Sequence, residues 1–348
     1  MEQNLSKYII IGAGLSGLTS AYLLHKTGER DITILESRDR IGGRIHTKDN
    51  IDFGATWFQT HHQKVIDLLD ELEVGKFHQY SKGKSVLVYS SMAPAHHFES
   101  NPEAPSAYRI SGGSSAMIDR LASPFSENIK LGTTVTEIIE NENGVSVVTE
   151  NGNYQAEKVI ITIPPLIATR ISFSPELPSA VAQAMENTHT WMSNAIKIGM
   201  TFKAPFWKAK DLSGTLIGQA GPVVELYDHT NHKEEKYGLM GFINEALRDT
   251  TAEKRKERIL TFLSKHLGEE VLSYETYEEK DWSKDKHTSC ETIKSIYMSP
   301  QYGNPIFGRK YMNDKLIFSG AETSPLYGGY MDGAIFSGLK AANEMKMI

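Results

Sequence analysis

Tyr8-Ile-Ile-Ile-Gly12-Ala-Gly14-Leu-Ser-Gly17 decides the fold of this 348-residue chain. The apolar run from Tyr8 to Ile11 has strand length, and Gly12-Ala13-Gly14 turns it sharply. From Leu15 onward Leu18, Tyr22 and Leu23 recur at helical spacing, until Gly28 offers a C-cap. A strand, a glycine turn and a helix in that order make a cradle for a nucleotide's phosphates. Gly12 permits the tight turn, Gly14 lets the backbone approach a pyrophosphate and Gly17 lets the helix pack on the strand. The free N–H groups about Ala13, Leu15 and Ser16 point at the anion. A second apolar run, Ile32 to Leu35, ends on Glu36, an acid about 20 residues past the turn and so placed to accept hydrogen bonds from an adenosine ribose.

The other end of the chain reads as a second half of the same site. Gly320-Ala-Glu-Thr323 is followed by Gly329-Tyr-Met-Asp-Gly333. Gly328 and Gly329 let the chain pass close to a flat ligand. The helix expected from Met331 presents Ala334, Gly338 and Ala341 along one narrow face, and its N-terminus carries positive potential. That potential suits a ligand that becomes anionic. The same small face also serves to pack helix on sheet.

Beyond Glu36, Ser37-Arg-Asp-Arg-Ile-Gly-Gly-Arg44 adds a glycine pair and several guanidiniums, which suits a bulky dinucleotide. From here the chain resembles the flavin-containing amine oxidases, and among them the monoamine oxidases. The matching stretches are Ile34-Leu-Glu-Ser-Arg-Asp-Arg-Ile-Gly-Gly-Arg44, Gly112-Gly-Ser114, Val159-Ile-Ile-Thr-Ile-Pro-Pro165, Ile196-Lys-Ile198, Ala204-Pro-Phe-Trp207, Tyr277-Glu-Glu-Lys-Asp-Trp282 and Phe318-Ser-Gly-Ala-Glu-Thr-Ser324 through Ala334. They run in the family's order over nearly the whole chain. The resemblance implies an α/β fold, a Rossmann-like FAD-binding domain interleaved with an α+β substrate domain of mixed sheet plus helices. Residues 1–80, 111–186 and 285–348 would form the first, and 81–110 and 187–284 the second. It adds Ser37, Gly43, Arg44, Gly54, Ala55, Thr56, Trp57, Val135, Trp282, Gly320, Ala321, Glu322, Gly329, Tyr330, Met331 and Ala334 to the FAD-binding set, Val135 through its backbone at the adenine. Thr134 to Ile139 and Val145 to Thr149, flanking Asn141-Glu-Asn-Gly144, read independently as a hairpin.

Composition fits a soluble enzyme of two lobes, with 40% hydrophobic residues. A net charge of −6 without a basic run argues against nucleic acid. Lys254-Arg-Lys-Glu-Arg258 sits beside Ile259, Leu263 and Leu267 at helical spacing and reads as the solvated face of an amphipathic helix. One cysteine, Cys290, allows no intrachain disulfide. No apolar run approaches the ~20 residues that span a bilayer, and no signal-peptide pattern precedes the first strand. A cytoplasmic location is expected, and the oligomeric state is left open.

Two residues carry the expected chemistry. Lys197, on an otherwise apolar strand, is costly to desolvate without a partner and matches the family lysine that holds a water near flavin N5. Tyr330 matches one wall of the aromatic pair that orients a substrate amine. The chain departs from the family in three places. Gapless alignment from Trp282 puts Glu291 where monoamine oxidases carry the flavin-linked cysteine and Thr292 at the second aromatic wall; Cys290 misses by one, so non-covalent FAD is expected, with a one-residue gap as the alternative. The segment between Trp57 and Ser111 is short, leaving the pocket more open or closed by a partner chain. Glu225, with Val223 and Tyr227 on one face of a strand over 222–228, sets a carboxylate where monoamine substrates meet an aromatic ring. Glu225, Tyr227, Thr292 and Tyr330 are thus the expected substrate residues.

His61-His62 and His96-His97 lack metal-ligand spacing and read as polar loop residues. No Gly-x-Ser-x-Gly elbow or phosphate-binding Gly-Lys loop is present. Trp191, Phe206 and Trp207 fall in the substrate half, with core packing expected of the last two. The resulting expectation is an FAD-dependent oxidase of a small amine with O2 as acceptor. A flavin dehydrogenase or desaturase acting on a C–C bond, or a non-redox flavoprotein, are the alternatives.

Overall fold

A computed structural model describes residues 4–99, 107–289 and 301–346. The glycine-turn unit forms as read: strand Asn4–Ile11, helix Leu15–Lys26, strand Ile32–Leu35. The first strand is central in a nine-stranded sheet, parallel to Ile32–Leu35 on one side and to Gly152–Ile161 on the other. Its Ile9, Ile10 and Ile11 are buried on both faces, which is why it reads as an unbroken apolar run. The hairpin Val135–Asn141 and Gly144–Thr149 extends the sheet antiparallel. Leu316–Phe318, from the far end of the chain, adds parallel to Gly152–Ile161 at Val159 to Ile161. The turn and the Gly320 motif therefore leave, at the same edge, the two strands that flank Gly152–Ile161.

The last helix, Met331–Lys346, packs chiefly on the first helix and also touches strands Gly152–Ile161 and Leu316–Phe318 of the sheet. A Cβ at Gly338 would lie 2.4 Å from the Ser16 carbonyl oxygen, so this part of the small-residue face brings helix to helix; only Ala334, nearer the N-terminus, faces the cavity described below.

A second, seven-stranded sheet runs Thr276–Asp281, Ile196–Phe202, Tyr237–Ile243, Val223–Asp228, Leu212–Gly218, Lys84–Val88, His96–Glu99. All neighbours are antiparallel except Leu212–Gly218 with Lys84–Val88. One face is closed by helix Ala252–Leu267, whose Ile259, Leu263 and Leu267 are buried. Arg255 continues that four-residue series and is buried too, paired with Glu279; the cluster at 254–258 is therefore not wholly a solvated face. The other face meets the segment Ile51–Phe53, where Cβ atoms at Gly199 or Gly238 would strike Ile51 at 2.6 and 2.5 Å. Tyr108–Ile110 pairs with Lys76–His78 in a separate ribbon.

Candidate functional site

A cavity of about 350 Å3 runs along the glycine turn and reaches the N-terminus of the last helix. The three glycines of the turn differ in what they do. At Gly12, φ is +106° and a Cβ would lie 2.8 Å from Thr162 Oγ1; at Gly17 it would lie 2.0 Å from the Gly12 carbonyl oxygen. Both are demanded by protein packing. At Gly14 a Cβ would meet nothing within 4 Å, although Gly14 lines the cavity. A side chain there would fill the cradle itself, and this is the observation by which the residues present fit a dinucleotide.

Glu36, at the cavity's other flank, is buried and serves the turn directly. Its Oε2 accepts from the Ala13 N–H at 2.8 Å and its Oε1 from the Arg38 N–H at 2.9 Å. Arg38, Thr162, Ile163 and Pro164, which lie in matched stretches of the sequence but were not among the expected cofactor residues, line the cavity too. So do Lys286, His287 and Thr288, a stretch held down from the nucleotide side. Arg38 reaches Asp285 (2.7 Å) and Thr288 (2.9 Å), Ser37 shares a hydrogen bond with His287 Nδ1 (3.0 Å), and Arg170 donates to the Lys286 (2.5 Å) and Ser289 (3.2 Å) carbonyls.

Most of the expected cofactor residues border this space: Gly12, Gly14, Leu15, Ser16, Glu36, Ser37, Gly43, Arg44, Ala55, Val135, Gly320, Ala321, Gly329, Tyr330, Met331 and Ala334. Ala13, Gly17, Gly54, Thr56, Trp57, Trp282 and Glu322 do not. Trp282 is fully buried with Nε1 on the Phe53 carbonyl (2.7 Å), and Trp57 donates to Gln79 (2.7 Å). Glu322 grips Arg44 in a bidentate pair, the Arg44 Nη2–Oε2 arm being 2.9 Å, and Arg44 also reaches Thr190 Oγ1 (2.6 Å). Burial opposes both charges, yet the pairing more than offsets it. The Glu322 pKa stays below, and the Arg44 pKa above, their ordinary values.

Lys197 is 1% exposed. Two-residue alternation on its strand puts it on the face with Gly199, over the Ile51–Thr56 segment. Nζ donates to the Asp52 and Gly54 carbonyls, both at 2.8 Å, and to Thr56 Oγ1 at 3.0 Å, beneath the rings of Trp57 and Phe242. These are neutral acceptors. Burial, with a smaller push from Arg109, brings its pKa down to about 7 against the pull of Asp52. All three protons go to protein atoms, where the family pattern had implied a water.

Glu225 and Tyr227 share a face as expected: Tyr227 donates to Glu225 Oε2 at 3.0 Å, and its ring meets Trp57 edge-on at 5.0 Å. Glu225 pairs across the sheet with Phe242, which in turn pairs with Lys197, so carboxylate, ring and lysine form one row. Thr292, with Glu291 and Cys290, lies outside the described residues.

Three readings are corrected. Gly328 and Gly329 make room for protein rings: Cβ atoms there would lie 2.5 and 2.6 Å from Tyr302, and at Gly329 3.4 Å from Trp191. His62 is no loop-surface residue; it is 3% exposed, its Nδ1 accepts from the Gln59 N–H (3.2 Å), and its ring packs on Tyr327 (4.9 Å) and Tyr330 (5.3 Å). His96 and His97 lie on an exposed edge strand. Among the described residues no group of His, Cys, Asp and Glu is arranged to hold a metal, and no helix is long and apolar enough to cross a membrane.

The model of the family described as flavin containing amine oxidoreductase matches residues 74–346, and that of the NAD(P)-binding Rossmann-like domain residues 10–72. The chain belongs to the flavin-containing amine oxidoreductase family. It is an FAD-dependent oxidoreductase of that family. Relatives include the probable flavin-containing monoamine oxidase A of Dictyostelium discoideum, 25% identical with 97% of each chain covered, and the human flavin-containing amine oxidase B, 26% identical over 98% of this chain and 86% of the other. These alignments run over 450 and 457 positions, more than the length of this chain, so the relatives carry residues this member lacks. Putrescine oxidase, solved with putrescine bound, superposes with a TM-score of 0.83 at 23% identity, covering 97% of this chain and 98% of that one. Cyclohexylamine oxidase from Brevibacterium oxydans does so at 0.84 and 20%, covering 98% of each. At those identities the likeness is one of fold.

Proposed function

We propose that this family member is an oxidase of small amines that uses O2 and holds FAD without a covalent bond. The observation that carries it is the cavity itself, lined by Gly14, where a Cβ would meet nothing within 4 Å, by Glu36 and Arg44, and by an exposed tyrosine, Tyr330. Bound FAD supplies the acceptor for a hydride from the carbon next to nitrogen and the route for two electrons to O2, so the products are an imine, hydrolysed in water, and hydrogen peroxide.

The chain's own residues bind, orient and exclude water. The glycine turn and the Ser37–Arg44 segment hold the dinucleotide, with the Glu322 pair fixing Arg44 and the N-terminus of Met331–Lys346 favouring negative charge on the flavin. Tyr330 faces the amine. Glu225, steadied by the Tyr227 hydroxyl, receives a second cationic or polar group on the substrate. Lys197 orders a water on the flavin side in exchange for one of its three present partners, the Asp52 and Gly54 carbonyls and Thr56 Oγ1. Residues 1–80, 111–186 and 285–348 are proposed as the FAD domain and 81–110 with 187–284 as the substrate domain. A single cysteine supports a cytoplasmic location.

The test is direct. Purified protein is expected to be yellow, to release intact FAD on acid or heat treatment, to reoxidise quickly in air after dithionite reduction, and to release peroxide with amines. Flavin remaining on a denatured peptide that contains Cys290 overturns the non-covalent assignment. Slow reoxidation in air, with rapid turnover on an artificial acceptor, replaces the oxidase by a dehydrogenase.

A further inference from the structure

Asp52, His229 and Arg109 are all buried, and none of them lines the cavity. Ile51 and Phe53, on either side of Asp52, fill the space that Gly199 leaves on the second sheet, so the Asp52 side chain is turned the other way. There it meets the N-terminus of helix Ser114–Ala122: Oδ1 accepts from the Ser114 N–H (2.9 Å) and the Thr47 hydroxyl (2.6 Å). The Asp52 main chain is engaged as well. Its carbonyl accepts from Lys197 Nζ (2.8 Å) and its N–H donates to His229 Nε2 (3.1 Å). One residue thus joins a helix, an imidazole and the buried lysine.

Packing alone does not account for two of these atoms. Burial and the Arg109 charge bring the His229 pKa down to about 3, so the ring is a neutral acceptor whose proton sits on Nδ1. Nδ1 makes no hydrogen bond among the described residues, which leaves the bond to Asp52 as the ring's one polar task. Asp52 Oδ2 accepts no hydrogen bond either and lies 3.5 Å from His229 Nε2. A buried carboxylate oxygen without a donor is costly, and its field falls on the cations nearby. We propose that Asp52 and His229 are positioning residues for Lys197: the imidazole fixes the Asp52 peptide whose carbonyl holds the ammonium, and the carboxylate keeps that ammonium charged. This deepens the reading of Lys197 as the group that serves the flavin and rests on it. The charged groups about Lys197 are few. Asp52 favours its proton and Arg109 opposes it. Arg109 donates to the Thr230 (2.8 Å) and His229 (3.4 Å) carbonyls. Along the strand row Lys280 is paired with Asp285 (3.2 Å), and Glu225 accepts from Tyr227 (3.0 Å).

The experiment follows reoxidation in air of the reduced, FAD-loaded protein by stopped flow from about pH 5 to about pH 10. The wild-type midpoint is expected at about 7. Asp52→Asn keeps an acceptor for Ser114 and Thr47 but loses the charge, and is expected to move the midpoint down by about one pH unit; Arg109→Gln removes the opposing cation and moves it up by about as much. His229→Leu is expected to slow the plateau rate at least about fivefold, and His229→Gln, whose amide oxygen replaces Nε2 as acceptor, to restore it to within about twofold. Flavin content equal to wild type shows that the variants are folded. The two charge variants are also carried through urea titrations, where the rise of stability with pH starts about one unit lower in Asp52→Asn and about one unit higher in Arg109→Gln; two variants of opposite sign keep the test decisive should one of them fail to fold. Midpoints that stay at the wild-type value, or move in the same direction in both, overturn the proposal. So does a His229→Gln protein as slow as His229→Leu, the mark of a ring that only fills space. Slow reoxidation of the wild type at every pH would instead overturn the oxidase reading, while the urea titrations, which need neither O2 nor amine, still decide whether Asp52 governs Lys197.

Discussion

Arg44, partly buried, and Lys197, fully buried, are two cations whose surroundings could hardly differ more. Arg44 faces a carboxylate in a two-pronged pair, so its charge is permanent. Lys197 faces two peptide carbonyls and a hydroxyl, so its charge is conditional, with a pKa of about 7. The first arrangement suits a group that holds architecture around an anionic cofactor. The second suits a group whose proton is available at working pH.

The largest effect is expected where the fixed pair is broken. Glu322→Ala strands the Arg44 guanidinium without its counter-ion, a loss of about 3–5 kcal/mol, read as a lower Tm together with loss of bound flavin. A melting curve and flavin content equal to wild type would erase the distinction between the two cations. Next, Lys197→Met is expected to keep FAD yet slow a flavin half-reaction by more than about tenfold, equivalent to ~1.4 kcal/mol of barrier. Unchanged stopped-flow traces would return Lys197 to architecture.

The same lysine sharpens the comparison through pH. Its folded pKa, about 7, lies below the ordinary 10.5, so between those values the unfolded chain binds the extra proton. Stability therefore rises with pH across that window, and the full penalty is present below about 7. Denaturant titrations should show this slope, on the order of a few kcal/mol in total, and Lys197→Met should lack it. An identical slope in the variant would mean that another group titrates. The smallest effect belongs to Glu225→Gln: poorer use of a diamine with little change for a monoamine of equal length, modest because a half-exposed carboxylate is screened by water. Equal effects on both amines would remove Glu225 from the substrate site.

Much of the glycine-turn end was legible because backbone does the work there. A strand, three glycines and an acid at set intervals leave a periodic trace, and each glycine role follows from local sterics. The substrate end depends on side chains brought together from distant segments, and it was read less well. Nothing about His61-His62 announces that the second ring will be buried under Tyr330, since its partners lie about 270 residues away. Gly328-Gly329 was legible as a close approach, but what approaches is Tyr302, whose own neighbours give no pattern. Arg255 was recoverable: it stands four residues before Ile259 in a series that continues to Leu263 and Leu267, and only its charge disguised it.

One hydrogen bond also sets a timetable. Ser16, in the helix that follows the glycine turn, meets Ser319 through their hydroxyls at 2.7 Å across 303 residues of chain. Synthesis at roughly 5–20 residues per second puts about 15 to 60 s between the emergence of the two serines. Throughout that interval the nascent amino-terminal unit has its turn and Glu36, but neither the Leu316–Phe318 strand nor the terminal helix that packs against it. The cavity is therefore complete only in the last moments of translation or later. A cell short of FAD would accumulate full-length chains with an open cradle rather than stalled fragments, and those chains would be the ones that its proteases encounter.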